Sequence, residues 1–288
     1  MRVANKTIYD AVIYNLSSRT QEMNKANEIV STGKRINNLS DDPVGLTQAL
    51  NLKSAISNIN QMQRNVSLGN SWLSSSESAL TNVEDIISNT KVLCIQMSNA
   101  PIGSAERLSA AGTVQNMVDE IISLANTNVA GKYIFSGSKT DTTPFSSDGT
   151  YNGNDNAFTI KVGKDANVEI GSVGDAIFEN IFSTMADLKT ALETNDVGGI
   201  EDAISNLDGH FEDISTKISD VGSKMNRMEV KERILEDLNF ANTDRLSQIE
   251  DADYTEAIMR LEATELAYQA ALSSSAKIMT QTLMDYMD

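Results

Sequence analysis

The sequence predicts a mainly α-helical protein, in which a long antiparallel helical hairpin or coiled-coil bundle carries a small β insertion domain. Three observations predict this fold class. Apolar residues recur every seven positions in two long stretches, which is typical of helices packed along a seam. Seven of the 15 aromatic residues and seven of the 16 glycines lie between positions 131 and 182. The first 70 residues carry eight basic and five acidic side chains, whereas the last 60 carry five basic and 13 acidic.

The opposite charges of the two ends predict that they pair with each other. We assign residues 1–42 to an N-terminal coiled-coil segment and residues 249–288 to a C-terminal one, with charge setting their register. A helix over about 4–32 ends at Gly33, which suits a C-cap. Its candidate assembly residues lie on one side: Ile8, Val12, Met23 and Val30. The last helix carries a second set: Ile258, Leu261, Tyr268, Leu272, Met279 and Leu283.

The longest predicted helix begins at Pro43, with Asp42 as its N-cap, and ends before Pro101. Its a-type heptad positions are all apolar: Leu52, Ile59, Val66, Leu73, Leu80, Ile87 and Cys94. About 57 helical residues span roughly 85 Å at 1.5 Å per residue. A shorter helix over about 104–128 completes the first part of a helical rod domain, residues 43–130.

Residues 131–175 are predicted to form the β insertion domain. Segments 133–135, 158–162 and 168–170 alternate or cluster as strands, with turns at 147–149 and 152–153. Residues 176–248 then form the second part of the helical rod domain, with a helix over about 176–194 followed by a long seam that breaks at 251–253. That seam alternates by four and three: Ile200, Ile204, Leu207, Phe211, Ile214, Ile218, Val221, Met225 and Met228.

The sequence predicts no catalytic, cofactor-binding or metal-ligating residues. A single His and a single Cys exclude a His-rich metal site, a disulfide within the chain and a CxxC site. Each Gly-Lys pair lacks the upstream Gly and the following Ser or Thr of a phosphate-binding loop. The loop from Asp148 approaches a calcium-binding pattern, but Thr159 stands where a bidentate Glu is required, so a β-turn is the better interpretation. We therefore expect a protein that is not an enzyme.

Charge and hydropathy exclude other classes of partner. A net charge of −17 disfavours nucleic acid and anionic membranes. The longest unbroken apolar runs have four residues, against the ~20 that a membrane helix needs, so no membrane insertion is expected. The N-terminus lacks the apolar core of a cleaved secretory signal.

Two motifs near opposite ends of the chain resemble the flagellin superfamily. The segment 31–37 followed by 39–45, which contains Asp41, Asp42 and Pro43, is similar to the superfamily's N-terminal signature. Near the C-terminus, the segment 249–254, which contains Glu250, Asp251 and Asp253, is similar to the stretch before the last flagellin helix, and the closing segment 269–286 also fits. Within the superfamily, the segment 131–145 resembles the family of flagellar hook-associated protein 3. Four residues carry this resemblance: Gly131, Tyr133, Phe135 and Gly137.

The resemblance implies a structural junction or adaptor between the flagellar hook and the flagellin filament. It implies as partners other copies of the chain, the first hook-associated protein, flagellin, an export chaperone and the type III export apparatus. It also implies an extracellular location in the flagellum, after export without a cleaved signal peptide. Because the terminal helices have narrow apolar stripes and many polar residues, we expect them to be poorly ordered in the isolated subunit and to fold on assembly.

Two alternatives stay open at this point. One is a flagellin-type subunit of the filament itself. The other is a cytoplasmic coiled-coil scaffold or signalling protein, which long heptad helices also suit. Location in the cell separates the second alternative from both flagellar functions.

Overall fold

The computed structural model describes the backbone of residues 2–99, 102–164 and 166–284, and the side chains of these ranges except 2–5, 8 and 278–284. Helices dominate, and the strands form two small antiparallel pairs, which confirms the predicted fold class. The elements in chain order are α1 (Arg2–Thr32), α2 (Pro43–Ser98), α3 (Ser104–Ala125), β1 (Asn128–Val129), β2 (Lys132–Tyr133), β3 (Thr159–Lys161), β4 (Asn167–Glu169), α4 (Asp175–Thr194), α5 (Val197–Glu250) and α6 (Tyr254–Met284).

The chain divides into two compact units, and α2 and α5 contribute residues to both. The terminal unit consists of residues Met1–Asn58 and Leu238–Asp288. The central unit consists of residues Ile59–Asp237.

In the terminal unit, α1 packs against α6, and the fully buried residues of the two helices are small. Ala26 of α1 and Ala257 of α6 are buried. Along α6, Leu261, Thr264 and Ala271 are half-buried, one helical turn or two apart. Small residues allow two helices to approach closely but bury little apolar area each. The pairing of these two helices therefore depends on more than its own seam.

The central unit has the apolar core that the heptads predict. From Ile59 to Cys94 every a-type residue of α2 is buried, and so are Ile200, Leu207, Ile214, Val221 and Met228 of α5. The seam prediction is wrong at one position, since Phe211 is 41% exposed. On α5, Ala203, four residues before Leu207, is buried, whereas Phe211, four residues after it, is not. The aromatic ring at 211 lies on the solvent side of the helix.

A glycine in α2 makes room for the β insertion. A Cβ atom on Gly69 would come within 2.6 Å of Ile160 Cδ1 and 2.9 Å of Met228 Cε. The hairpin of β3 and β4, in which Ile160 pairs with Val168, therefore packs directly against the α2 backbone. Nearby, the Trp72 ring lies 5.2 Å from that of Phe158. Close packing thus explains why a glycine stands at position 69 of this heptad.

The β insertion is built on aromatic packing more than on strands. Phe135, Phe145, Phe178 and Phe182 form a cluster with ring centroids 5.1–6.2 Å apart, with Phe145 also 5.2 Å from Tyr151. The predicted strand over 133–135 is wrong beyond Tyr133, because Ile134 and Phe135 leave the strand with their side chains fully buried. The pair of β1 and β2 was not predicted; the predicted helix over 104–128 ends at Ala125 instead.

A buried arginine joins two helix ends of the central unit. The Arg107 side chain, 4% exposed, donates from Nε to the Met97 carbonyl oxygen at 2.8 Å. Its Nη1 donates to Asn195 Oδ1 at 2.5 Å. Asn195 caps α4 in the left-handed conformation, at φ 58°. Carbonyl groups at helix C-termini carry partial negative charge, so they suit a buried guanidinium.

Candidate assembly site at the meeting of the chain ends

The two end motifs come together in the terminal unit. The link between α1 and α2 pairs with the link between α5 and α6 through an antiparallel bridge of Lys34 with Asp251. The Arg35 N–H donates to the Glu250 carbonyl oxygen at 2.7 Å, and the Ala252 N–H donates to the Gly33 carbonyl oxygen at 2.9 Å. Residues about 215 positions apart therefore share one main-chain joint.

The Glu250 carboxylate holds this joint together. Glu250 is 5% exposed, and its carboxylate forms ion pairs with Lys34 Nζ at 2.8 Å and Lys53 Nζ at 2.7 Å. Burial by itself raises the pKa of Glu250, but the hydrogen bonds and charges of the two lysines outweigh burial and hold that pKa below its ordinary value. The same contact raises the pKa of Lys34. One carboxylate thus ties both the α1–α2 link and α2 to the end of α5.

The N-terminal motif shapes the start of α2. Asp42 is the N-cap, as predicted, because its Oδ1 accepts the Gly45 N–H at 2.8 Å. A side chain at Gly45 would collide with the Asp42 carboxylate and come within 2.7 Å of Ile36 Cδ1. Pro43 occupies the first helical position, where its missing N–H costs nothing. These contacts therefore explain why a residue without a side chain stands three positions after the N-cap.

Asp41 fastens the same link to α1. Its Oδ1 pairs with Lys25 Nζ at 2.7 Å, and its Oδ2 accepts the Asn38 N–H at 3.0 Å. The hydrogen bond from Lys25, followed by the backbone donors, lowers the pKa of Asp41. The two adjacent aspartates thus face different elements: Asp41 holds the preceding helix and Asp42 begins the next.

The C-terminal motif begins α6 in the same way. Asp253 Oδ1 accepts the N–H groups of Thr255 at 2.8 Å and Glu256 at 3.3 Å, so it is the N-cap. Asp251 Oδ2 accepts the Ser247 hydroxyl at 2.5 Å. Gly33 adopts φ 69°, and an added Cβ would meet the Tyr254 ring at 3.3 Å. Gly33 therefore serves as the C-cap of α1, and its lack of a side chain leaves room for the Tyr254 ring.

The candidate assembly residues of the terminal helices are only partly covered. On α1, Val12, Met23 and Val30 are half-buried. On α6, Leu261 and Tyr268 are half-buried, whereas Ile258 is 45% exposed and Leu272 is 49% exposed. The side chains of Ile8, Met279 and Leu283 lie outside the described residues. Further large apolar residues of this unit are exposed: Tyr9, Ile13 and Tyr14 on α1, and Met259 and Leu266 on α6.

The motif residues 131–145 lie in the central unit and contribute to its structure. Gly131, at φ 79°, and Ala130, at φ 51°, form the two-residue turn between β1 and β2. A side chain at Gly137 would collide with the Asn154 carbonyl oxygen. The Tyr133 hydroxyl accepts a hydrogen bond from Thr143 at 3.2 Å, and Phe135 is fully buried in the aromatic cluster.

The basic residues that complete the joint were not predicted from the sequence. Lys34 and Arg35 stand inside the N-terminal motif but were not given a partner, and Lys25 and Lys53 were not singled out. Lys53 follows the seam residue Leu52, and Glu250 follows Ile249 at the end of the other seam. Lysine and glutamate beside opposing seam residues are the usual signal of a salt bridge between helices, and that signal was present.

Elsewhere the described residues offer little for chemistry. In ranges 2–99, 102–164 and 166–284, no three His, Cys, Asp or Glu side chains could jointly hold a metal ion. Burial raises the pKa of the Cys94 thiol to about 11, which keeps it protonated near neutral pH. His210 Nε2 lies 2.8 Å from Thr184 Oγ1, and burial lowers the pKa of this histidine. No helix in the described ranges has the length and apolar content needed to cross a membrane.

Comparison with known proteins places these features in context. The family model of the bacterial flagellin N-terminal helical region matches residues 3–140, and that of the C-terminal helical region matches residues 204–287. Flagellar hook-associated protein 3 of Escherichia coli is 28% identical, with 97% of this chain and 96% of that protein aligned. Its namesake in Salmonella typhimurium is 26% identical over the same shares. The crystal structure of Bacillus cereus FlgL has the same fold, at a TM-score of 0.61 and 24% identity, over 68% of this chain and 99% of that one.

Proposed function

The chain belongs to the bacterial flagellin family, on its hook–filament junction branch, and we propose that it joins the hook to the filament through its two terminal helices. The observation that carries this proposal is the terminal unit itself. The Glu250 joint fixes the α1–α2 link to the α5–α6 link, while large apolar residues of α1 and α6 remain exposed. The joint thus fixes where α1 ends and α6 begins, and the two helices still have apolar surface to bury against other subunits.

The partners are other flagellar proteins. On the hook side we propose the first hook-associated protein, and on the filament side flagellin, with further copies of the chain beside it. Contacts of this kind are heterologous, so that subunits stack by helical symmetry and do not close as dimers. We propose that the candidate assembly residues of α1, from Ile8 to Val30, and those of α6, from Ile258 to Leu283, face these neighbours.

Delivery to that position requires export. We propose passage through the flagellar type III apparatus to an extracellular location, with a chaperone that covers α6 beforehand. The exposed apolar residues of α6 support this, because uncovered apolar surface promotes aggregation. The role of the chain is structural, and no enzymatic step is proposed.

The filament subunit is the second candidate, since both matching family models describe flagellin itself. Deletion of the gene separates the two functions. Loss of a junction protein leaves hooks intact and releases flagellin monomers into the medium. Loss of a filament subunit leaves hooks that release no flagellin. Normal filaments on normal hooks without the gene contradict both functions.

A truncation tests the role of the ends. Removal of residues 249–288 deletes α6 and the second half of the joint, but leaves the residues of the central unit in place. The truncated protein is expected to keep the near-ultraviolet signal of Trp72 and to fail to restore motility. Restored motility by the truncated protein contradicts assembly through the terminal helices.

A further inference from the structure

The terminal unit has a small apolar pocket beside the joint. It has a volume of about 120 Å³ and lies between the end of α1 and the start of α6. Its apolar surface comes from Ile29, Ala252 and Ala257, and its rim carries two basic and two acidic residues: Arg35, Asp253, Glu256 and Arg260. An enclosed apolar cavity of roughly 150 Å³ accommodates benzene. The pocket is slightly smaller but open to solvent, so a phenyl ring can enter it in part from outside. We call this feature the socket.

The same unit presents an aromatic side chain that nothing covers. Phe240 on α5 is 77% exposed, more than any other large apolar residue among the described side chains. The end of α5 lies ten residues further on, or roughly 15 Å by helical rise. An exposed phenyl ring forgoes the free energy of burial that a socket of this size would provide.

The charges beside the ring and beside the socket are complementary. Asp244 follows Phe240 by four residues, and Arg260 follows Ala257 of the socket by three. Side chains at either spacing are neighbours on a helix, about 5–6 Å apart. The distance from Phe240 to Asp244 is therefore similar to that from the socket to Arg260, and Asp244 and Arg260 carry opposite charges. Asp244 Oδ2 accepts a hydrogen bond from Gln248 Nε2 at 2.8 Å, but among the described residues neither Asp244 nor Arg260 forms a salt bridge.

We propose that Phe240 of one copy inserts into the socket of the next copy, with Asp244 of the first paired to Arg260 of the second. This inference rests on the proposed assembly and specifies one of its contacts. The ring and the socket are different surfaces of the chain, so each copy offers one of each, and the contact is heterologous. Repeated from copy to copy, it links neighbouring subunits without closing a dimer.

Cysteine cross-linking in isolated flagella tests the contact directly, because the only native cysteine, Cys94, is buried. The test variant carries Thr243→Cys beside the ring and Glu256→Cys on the rim, which leaves Phe240, Asp244 and Arg260 in place. Both positions are exposed. A short bismaleimide linker is expected to give dimers and higher multimers of the chain.

The matched control places the first cysteine at Glu229 instead of Thr243. Glu229 is also exposed on α5 but lies 14 residues earlier, or roughly 21 Å along the helix. We expect at least a tenfold lower yield of multimers from the control. Equal yields, absence of multimers, or a cross-linked product of another mass overturns the contact between copies. If neither variant nor the wild-type chain is found in flagella, the proposed function fails, and the contact fails with it.

A charge exchange keeps the contact testable if the cysteine variants do not assemble. Arg260→Asp and Asp244→Arg are each expected to reduce motility at least tenfold, since each places like charges together. The double variant restores the attraction with exchanged signs and is expected to recover motility. Two single variants with normal motility, or a double variant no better than either, contradicts the pairing. The amount of chain in purified flagella, measured in parallel, separates a lost contact from lost export.

Discussion

The central and terminal units differ in how they are stabilised. The central unit buries two apolar seams and a cluster of aromatic rings. The terminal unit buries mostly small residues between α1 and α6, and depends on a polar joint around Glu250. From this comparison we propose a division of roles, in which the central unit provides folding stability and the terminal unit provides surface for assembly.

The largest loss of folding stability is expected in the aromatic cluster. Phe178→Ala removes a fully buried ring that contacts Phe135, Phe145 and Phe182. We expect a loss of about 3–5 kcal/mol in the free energy of unfolding, measured by urea denaturation with the fluorescence of Trp72. Phe211→Ala is the matched control, because that ring is 41% exposed, and it should cost less than about 1 kcal/mol. Similar losses from both variants contradict the assignment of the core to this cluster.

A smaller loss is expected at the buried arginine. Arg107→Ala leaves the carbonyl groups at the end of α2 and the Asn195 side chain without their donor. The expected cost is about 2–3 kcal/mol in the same denaturation experiment. Exposed Arg64, which bonds only to Gln61 among the described residues, provides the control, and Arg64→Ala should change stability by less than about 0.5 kcal/mol. An Arg107 variant as stable as that control contradicts the role of the guanidinium.

In the terminal unit, Glu250→Gln is expected to cost about 1–2 kcal/mol, since both lysines are about two-fifths exposed and solvent weakens each ion pair. Amide hydrogen exchange at Arg35 and Ala252 measures this locally, because their N–H groups form the joint. The Glu250 pKa is lowered in the folded protein, so its contribution is complete above the ordinary glutamate pKa of about 4.3 and is lost as pH falls through the lower folded value.

The wild-type protein and Glu250→Gln should therefore differ in exchange at pH 7 and converge as the pH falls through the lowered pKa of Glu250. Glu250 is surrounded by Lys34, Arg35, Lys53 and Asp251, all of which the variant keeps. Comparison with the variant cancels their contribution. A difference that persists unchanged at low pH contradicts the role of the carboxylate.

The smallest effect on folding, with a large effect on assembly, is expected on α6. Leu272→Ala removes a side chain that is 49% exposed, so the free energy of unfolding should change by less than about 0.5 kcal/mol. Motility should nevertheless fall, because the lost apolar area is buried only in the flagellum. Ser273→Ala, at an exposed position of the same helix, is the control and should leave motility intact. Normal motility of the Leu272 variant contradicts its place on an assembly surface.

The sequence was sufficient for the parts of the fold that follow from periodicity and capping. The heptads located α2 and α5, Asp42 and Pro43 located the start of α2, and Gly33 located the end of α1. The β insertion was located with two of its strands, since β3 and β4 lie at the predicted segments 158–162 and 168–170, whereas the pair of β1 and β2 was missed. Ile134 and Phe135 read as strand, yet burial in the aromatic cluster takes precedence over pairing, and β1 consists of only two residues.

The ion pairs of the joint could not be predicted from a single sequence. The two end motifs could be quoted from the chain, and Glu250 was among their residues. Its partners Lys34 and Lys53 were not identified, because contacts over about 200 residues depend on the register between helices. Charge composition indicated that the ends attract each other, but it does not specify which lysine meets which carboxylate. The assembly residues on α1 and α6 remain predictions that rest on exposure.

Hydrogen exchange of α6 before and after assembly tests the division of roles most directly. Mass spectrometry can follow peptides from α6 and from α2 in the isolated subunit and in purified flagella. We predict that α6 exchanges quickly in the isolated subunit and becomes at least a hundredfold more protected in flagella, whereas the buried seam of α2 from Val66 to Cys94 is protected in both. Equal protection of α6 in the two states would contradict the account.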